Sequence, residues 1–287
     1  MTVTLPAPDR LDDCTVVITG ASSGVGRAAA RALSKLGATV AVVGRNVERT
    51  NQVADEIGGT AYTADFTDLA AVRSLAESLL GDLPRIHVLA NNAGGTFSTR
   101  KPTVDGFDVT FQSNHLAPFL LTSLLLPRIL ETAKDAPTGS VRIIQTSSDG
   151  NRMGRIALDD LDSRRGLWVA GFRAYCTSKL ENIVFTRELA RRLTGTGVQA
   201  FAFHPGFVAS AFGGGSAAVE LGQRLFAITP EEGAEPLVRL AAAKTIPAPS
   251  GNYFDRLNAP GKTTRQANDA ALAKELWAAS EIRAGLR

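Results

Sequence analysis

The stretch Tyr175-Cys176-Thr177-Ser178-Lys179 places a phenol and an amine four residues apart, in a segment that reads as helix over 172–193. Positions i and i+4 share a helix face, so both groups can point at one spot. A phenol is a weak acid, with an ordinary pKa of about 10. A cation held beside it favours the phenolate and brings proton transfer toward the neutral range. The same spacing also occurs on ordinary helix surfaces. Its weight here comes from three other polar clusters: Gly20-Ala21-Ser22-Ser23-Gly24-Val25-Gly26, Asn91-Asn92-Ala93-Gly94 and Ser147-Ser148.

The elements that must position these clusters follow from the hydrophobic pattern. Thr15-Val16-Val17-Ile18-Thr19 is a continuous β-branched run, as in a strand buried on both faces. Residues 27–36 are alanine-rich and helical, and Gly37 suits a left-handed cap. With a second strand over 39–43, residues 15–43 form one β-α-β unit whose glycines lie at the strand-to-helix turn. Glycines there let the backbone approach a pyrophosphate, whose charge meets the first amides and the dipole of the helix. The spacing is G-x-x-x-G-x-G.

The alternation continues. Helices are expected over 46–57, 68–80 and 172–193, with two helical segments bent near Pro118 within 104–130 and another helix opened by Thr229-Pro230. Strands are expected over 60–63, 85–90, 141–146, 198–204 and at Tyr253-Phe254. Strands alternating with helices imply the α/β class, with one doubly wound parallel sheet and helices on both faces. In such sheets ligands bind at the carboxyl ends of the strands, where every cluster named above falls. The reading is a single domain over 1–287, with an N-terminal extension (1–13), a lid on the substrate side (207–228) and a C-terminal tail (255–287).

Length and composition set bounds. The chain has 287 residues, 44% of them apolar, and a net charge of +3. That balance gives no electrostatic case for nucleic acid or a membrane surface. The two cysteines, Cys14 and Cys176, lack metal-ligand spacing, and no metal is expected. Free thiols fit a cytoplasmic location. Residues 1–13 carry no apolar core, so no signal peptide or membrane anchor is expected. The apolar stretch 118–126 is too short to span a bilayer and reads as a buried helix.

With these residues assembled, the chain resembles the short-chain dehydrogenase/reductase family, a Rossmann-fold family. Residues 19–26 match its cofactor loop, Asn91-Asn92-Ala93-Gly94 its strand-end motif, and Tyr175-x-x-x-Lys179 its active site. The run 173–182, the run 185–190, His204-Pro205-Gly206 and Glu275-Leu276-Trp277 resemble the retinol dehydrogenase and WW-domain oxidoreductase branch. The resemblance implies an oxidoreductase. Tyr175 would be the general acid in reduction and the base in oxidation. Lys179 would hold the nicotinamide ribose and lower the Tyr175 pKa. Ser148 would bond the substrate oxygen, with Ser147 as the alternative, and Asn114 would anchor a water relay to Lys179. It also implies a nicotinamide dinucleotide held by Gly20, Ser22, Ser23, Gly24, Val25 and Gly26. Asp65 and Phe66 would flank the adenine, Asn92, Ala93 and Gly94 would line the adenosine side, and Pro205, Gly206 and Val208 would pack near the nicotinamide. Relatives often pair through their two long helices, so a homodimer or homotetramer is the corresponding guess.

The cofactor's identity turns on the end of the second strand. An acid there suits the ribose 2′-hydroxyl of NAD, and an arginine suits a 2′-phosphate. No Asp or Glu lies between Val40 and Val47, and Arg45-Asn46 stands at the position. The expectation is NADP(H), with Arg45 on the phosphate and Asn46 assisting. The substrate side should come from 149–172 and 207–226, with the C-terminal tail as a further contributor; Met153, Leu161, Leu167, Trp168, Val169, Phe172, Phe207, Phe212, Leu221, Leu225 and Phe226 cluster in the first two. That composition suits a lipophilic ketone, aldehyde or alcohol; Arg152, Arg155 and Arg164 would instead suit an acidic one. His87 is expected to be structural, whereas His115 and His204 can border the cofactor site. The competing reading is a dinucleotide-binding sensor without turnover.

Overall fold

In the computed structural model, which describes residues 2–165, 171–207 and 228–287, the β-branched runs become the interior of one sheet. Its strands are β1 (Val3–Thr4), β2 (Thr15–Thr19), β3 (Thr39–Gly44), β4 (Thr60–Thr63), β5 (Val88–Asn91), β6 (Val141–Thr146), β7 (Val198–His204), β8 (Tyr253–Asp255) and β9 (Asn258–Ala259). The order across the sheet is β1-β9-β8-β7-β6-β5-β2-β3-β4. From β4 at one edge to β8 the neighbours pair in parallel, and at the other edge β9 pairs antiparallel with both β8 and β1. The order reverses between β2 and β5, which is the switch point of a doubly wound sheet.

Helices cover both faces, which is why Val16, Val17 and Ile18 are fully buried without any alternation. α1 (Gly24–Lys35), α2 (Val47–Ile57) and α6 (Pro230–Ala242) contribute to one core; α3 (Leu69–Asp82), α4 (Val109–Asp135), α5 (Phe172–Arg192) and α7 (Ala270–Arg283) contribute to the other. α6 opens with a capping box between Thr229 and Glu232. Arg142, buried in β6, donates to the Leu240 and Ala241 carbonyls at the far end of α6.

Several boundaries differ from the sequence reading. β5 begins at Val88, because the Ile86 amide donates to the Thr132 hydroxyl on α4 instead of to a strand. The helix expected from 104 begins at Val109: Gly106 is left-handed (φ 82°) in a turn from Thr103, and the Asp108 carboxylate caps the amides of Thr110 and Phe111. From there α4 runs to Asp135 without a break, and its irregularity is a π turn at Gln112–Leu116 before Pro118. The continuous helix is long and apolar enough to cross a bilayer, yet 56% of its most apolar window is buried inside the fold. Two short strands, β1 and β9, tie the N-terminal extension to the sheet edge.

The C-terminal tail is a further departure, since it forms α7. Trp277 stacks on Phe185 of α5 (5.6 Å between ring centroids) and meets Phe119 of α4 edge-on at 5.0 Å. Arg192 lies over the same indole at 4.1 Å. His115 bonds Ser280 at 3.0 Å and packs among Phe111, Phe119 and Phe185, so it belongs to this core and not to a cofactor site. Burial drives its pKa down to about 4. His87 is structural, as expected: its Nδ1 accepts from the Thr15 amide.

Candidate active site

The glycine turn, the Asn91-Asn92 corner and Ser147-Ser148 follow β2, β5 and β6, so all three lie at the carboxyl edge of the sheet. Gly20 is left-handed (φ 67°), and a Cβ there would lie 2.8 Å from the Ala93 Cα. A Cβ on Gly26 would lie 2.4 Å from the Gly20 carbonyl oxygen and 2.6 Å from the Asn92 Nδ2. The turn is therefore pressed against residues 92–93, and only hydrogen atoms fit between them. Ser23 is the N-cap of α1 but its hydroxyl caps nothing, and the first turn holds no acid. Ser22 is half-buried against Gly44, and Val25 packs on the core beneath. A helix N-terminus with uncapped amides and no competing carboxylate suits a pyrophosphate.

Asn92 acts as a tie. Its Nδ2 donates to the Thr19 carbonyl at 3.0 Å, and its Oδ1 accepts from Thr146 at 3.4 Å. The Asn92 and Ala93 amides both donate to the Thr19 hydroxyl at 3.0 Å. This side chain joins β2, β5 and β6, and its polar atoms are already engaged. Gly94 (φ 158°) borders the reactive end: a Cβ would sit 2.8 Å from Asn114 Oδ1 and 3.3 Å from Lys179 Nζ.

Tyr175 and Lys179 stand in the first turns of α5. Lys179 is buried, donates from Nζ to the Thr146 carbonyl at 3.0 Å, and lies 5.6 Å from the centre of the Tyr175 ring. Burial pulls its pKa down to about 8. The Tyr175 phenol departs from expectation. Burial raises its pKa, and a Ser148 hydrogen bond draws it back only in part. Desolvation of the phenolate is the largest influence on this group.

The two serines separate cleanly. Ser147 is buried and spends its hydroxyl on the Lys179 carbonyl at 2.7 Å. Ser148 is half-buried and bonds Tyr175, while its Oγ also accepts the Gly150 amide at 3.1 Å. Asn114 sits in the π turn and clasps Gly95 both ways (2.8 and 2.9 Å), and it donates to Ser178 at 3.0 Å. Its own carbonyl has no α-type donor, because Pro118, four residues on, has no N–H.

The outer positions fit unevenly. Arg45 is exposed at the end of β3 and makes no hydrogen bond or ion pair among the described residues. Asn46 caps α2 with its carbonyl, so only its amide group is left for a ligand. Asp65 accepts the Thr67 amide. The Phe66 ring is 8% exposed and belongs to the core, so it cannot offer a face to adenine. Pro205 and Gly206 follow β7, and Phe207 is exposed. Val208, Leu167, Trp168, Val169, Phe212, Leu221, Leu225 and Phe226 lie outside the described residues.

Residues 14–160 match the family model described as short chain dehydrogenase. The chain is 43% identical to "Putative daunorubicin C-13 ketoreductase DnrU" of Streptomyces sp. strain C5, over 94% of this chain and 92% of that protein. This chain belongs to the short-chain dehydrogenase family. Within it the retinol dehydrogenase-like branch is the one it resembles: retinol dehydrogenase 12 of Homo sapiens is 37% identical over 95% of this chain and 86% of that protein. A crystal structure of an uncharacterized protein from Mycobacterium paratuberculosis superposes with a TM-score of 0.78 at 32% identity, covering 99% of this chain and 98% of that one. The family binds a nicotinamide dinucleotide, and the glycine cradle and uncapped α1 described above fit that group.

For a short-chain dehydrogenase, two features of the site escaped sequence reasoning. One is the π turn around Asn114, for which Pro118 was the available signal. The other is Asn151, fully buried below Ser148. It sits in a polar stretch that carries no periodicity.

Proposed function

We propose that this chain is an NADP(H)-dependent oxidoreductase acting on a lipophilic ketone or aldehyde and the matching alcohol. The carrying observation is the meeting of the Ser148 hydroxyl, the Tyr175 phenol and the Lys179 amine beside the glycine cradle. The bound nicotinamide would supply or accept the hydride. Tyr175 gives its proton to the substrate oxygen in reduction and takes it back in oxidation. Ser148 donates a hydrogen bond to the same oxygen where negative charge develops. Lys179, with its pKa brought to about 8, is poised to exchange a proton near neutral pH. Ser147 has no such role, since its hydroxyl is engaged with the Lys179 carbonyl.

The NADP(H) preference rests on Arg45, an exposed cation without a partner among the described residues, and on the missing acid between Val40 and Val47. The lipophilic substrate rests on exposed Met153, Phe172 and Phe207, each next to the carboxyl edge, and on the relatives' names, which specify a daunorubicin ketone and retinol. The test is an NADPH-consumption screen over hydrophobic ketones, aldehydes and quinones, with NADPH and NADH affinities measured in parallel. Turnover that falls about a hundredfold or more in Tyr175→Phe supports the reading. Tighter NADH binding overturns the cofactor assignment, and NADPH binding without any turnover favours the sensor.

We also propose that copies of this chain do not pair through the long helix α5. α5 is buried along most of its length by its own chain, and α7 covers the aromatic surface of both helices. A helix already enclosed has no face to offer a partner. Sedimentation at micromolar concentration should show no dimer that is lost on substituting residues of that surface.

A further inference from the structure

Behind Ser148 lies a polar pair that the chemistry above does not use. Asn151 is fully buried in the short 3-10 turn that Ser148 caps. Its backbone amide and its Nδ2 both donate to the Ser148 carbonyl, at 3.0 and 2.8 Å. Its Nδ2 also reaches the Lys262 carbonyl at 3.5 Å. The neighbouring Gly261 presses on Tyr253: a Cβ there would fall 2.6 Å from the Tyr253 ring. One loop thus touches both residues. Tyr253 is 1% exposed, in β8, and its ring is locked by that contact.

Two buried atoms of this pair are left over, the Asn151 Oδ1 acceptor and the Tyr253 hydroxyl, each without a partner in hydrogen-bonding geometry. They are chemically complementary, since a phenol hydroxyl donates and an amide oxygen accepts, and both residues border the 261–262 loop. Buried polar groups of this kind are seldom left unpaired. A core tyrosine retained for bulk alone would do as well as phenylalanine. We propose that Asn151 and Tyr253 are a positioning pair that holds the Ser148 backbone so that its hydroxyl meets Tyr175. Tyr253 steadies the Asn151 amide, the amide holds the Ser148 carbonyl, and the Ser148 hydroxyl bonds the phenol. Neither residue touches substrate.

This inference rests on the proposed role of Ser148, and the experiment separates the two. Tyr253→Phe removes one hydroxyl and Asn151→Ala removes the clasp; each is made alone and in a Ser148→Ala background. With NADPH and phenanthrenequinone as the probe, Tyr253→Phe should lower kcat about fivefold with KM and NADPH affinity unchanged. In the Ser148→Ala background the same change should have no further effect, because the path runs through that serine. A second readout needs no turnover. The chain has three tyrosines, so near-ultraviolet absorbance resolves phenolate formation, and Tyr175→Phe identifies the Tyr175 step. That step should move to higher pH in Tyr253→Phe, toward its position in Ser148→Ala. Full additivity with Ser148→Ala, or an unmoved Tyr175 step, overturns the positioning pair. Wild-type turnover in Ser148→Ala overturns the role of the serine instead, and the absorbance titration then decides the pair by itself.

Discussion

Replacing each of the two adjacent serines by alanine separates a support from a reacting group. Ser147 donates one buried hydrogen bond, 2.7 Å to the Lys179 carbonyl. Losing it costs about 1 kcal/mol of stability, or a melting shift of about 2 °C in a domain of this size. Its hydroxyl has no donor capacity left for substrate, so kcat should fall by no more than about threefold. Ser148 also gives up a cap on the Gly150 amide, worth about 1 kcal/mol of stability. Its larger effect is on rate. A donor aimed at a developing oxyanion in a water-poor site contributes about 3 kcal/mol, so kcat should fall about a hundredfold or more. The assay is NADPH oxidation with a saturating ketone, with nucleotide affinity measured separately and melting followed for both variants. The assignment is refuted if Ser147→Ala loses as much kcat as Ser148→Ala, or if Ser148→Ala stays within about threefold of the parent.

Other perturbations test the frame around these groups. Lys179→Met should raise the melting temperature at pH 7, because the buried ammonium is a cost: its folded pKa is about 8 against an ordinary 10.5. Below pH 8 both folded and unfolded chains hold the proton and the folded chain bears the full cost. Between about 8 and 10.5 the unfolded chain binds more protons, so parental stability rises with pH and the advantage of methionine should shrink. An advantage that stays constant over that window would exclude the explanation. Gly26→Ala should destabilise by about 2 kcal/mol, since its methyl meets the Gly20 carbonyl at 2.4 Å, and should weaken nucleotide binding as well. A urea midpoint equal to the parent's would show that the turn is looser than described. Trp277→Ala should cost about 3 kcal/mol through the aromatic contacts it loses with Phe119 and Phe185. Unfolding curves that superimpose on the parent's would mean that α7 contributes little.

Much of this arrangement was readable in the chain because it depends on local patterns. The β-branched runs of β2, β3 and β6 admit one reading, and the glycine turn is placed by the strand before it and the helix after it. Tyr175, Lys179, Ser148 and the glycine cradle are brought to one edge by that alternation alone. The misreadings arose where a distant partner decides. The start of β5 depends on Thr132, a residue on another helix. Phe66 packs into the core cluster shared with α3, which its place after a short strand did not reveal. His115 looked like a cofactor neighbour beside Asn114, yet the helix turns it toward Ser280, far along the chain. The raised pKa of Tyr175 could not be read from the i, i+4 pairing, because its largest cause is burial, and burial is a property of the assembled fold.

Where β7 gives way to α6, the Ile228 amide donates to the Phe207 carbonyl at 2.8 Å, and Gly206 lies directly against the Ile228 side chain. The chain thus leaves the sheet edge and rejoins it at a single knot. Whatever is spliced between those two residues, longer or shorter, need not disturb the strand that precedes it or the capping box that follows. The ends of β7 and α6 are therefore held to one another by their own contacts, apart from the groups on α5 and after β6 that gather around Tyr175.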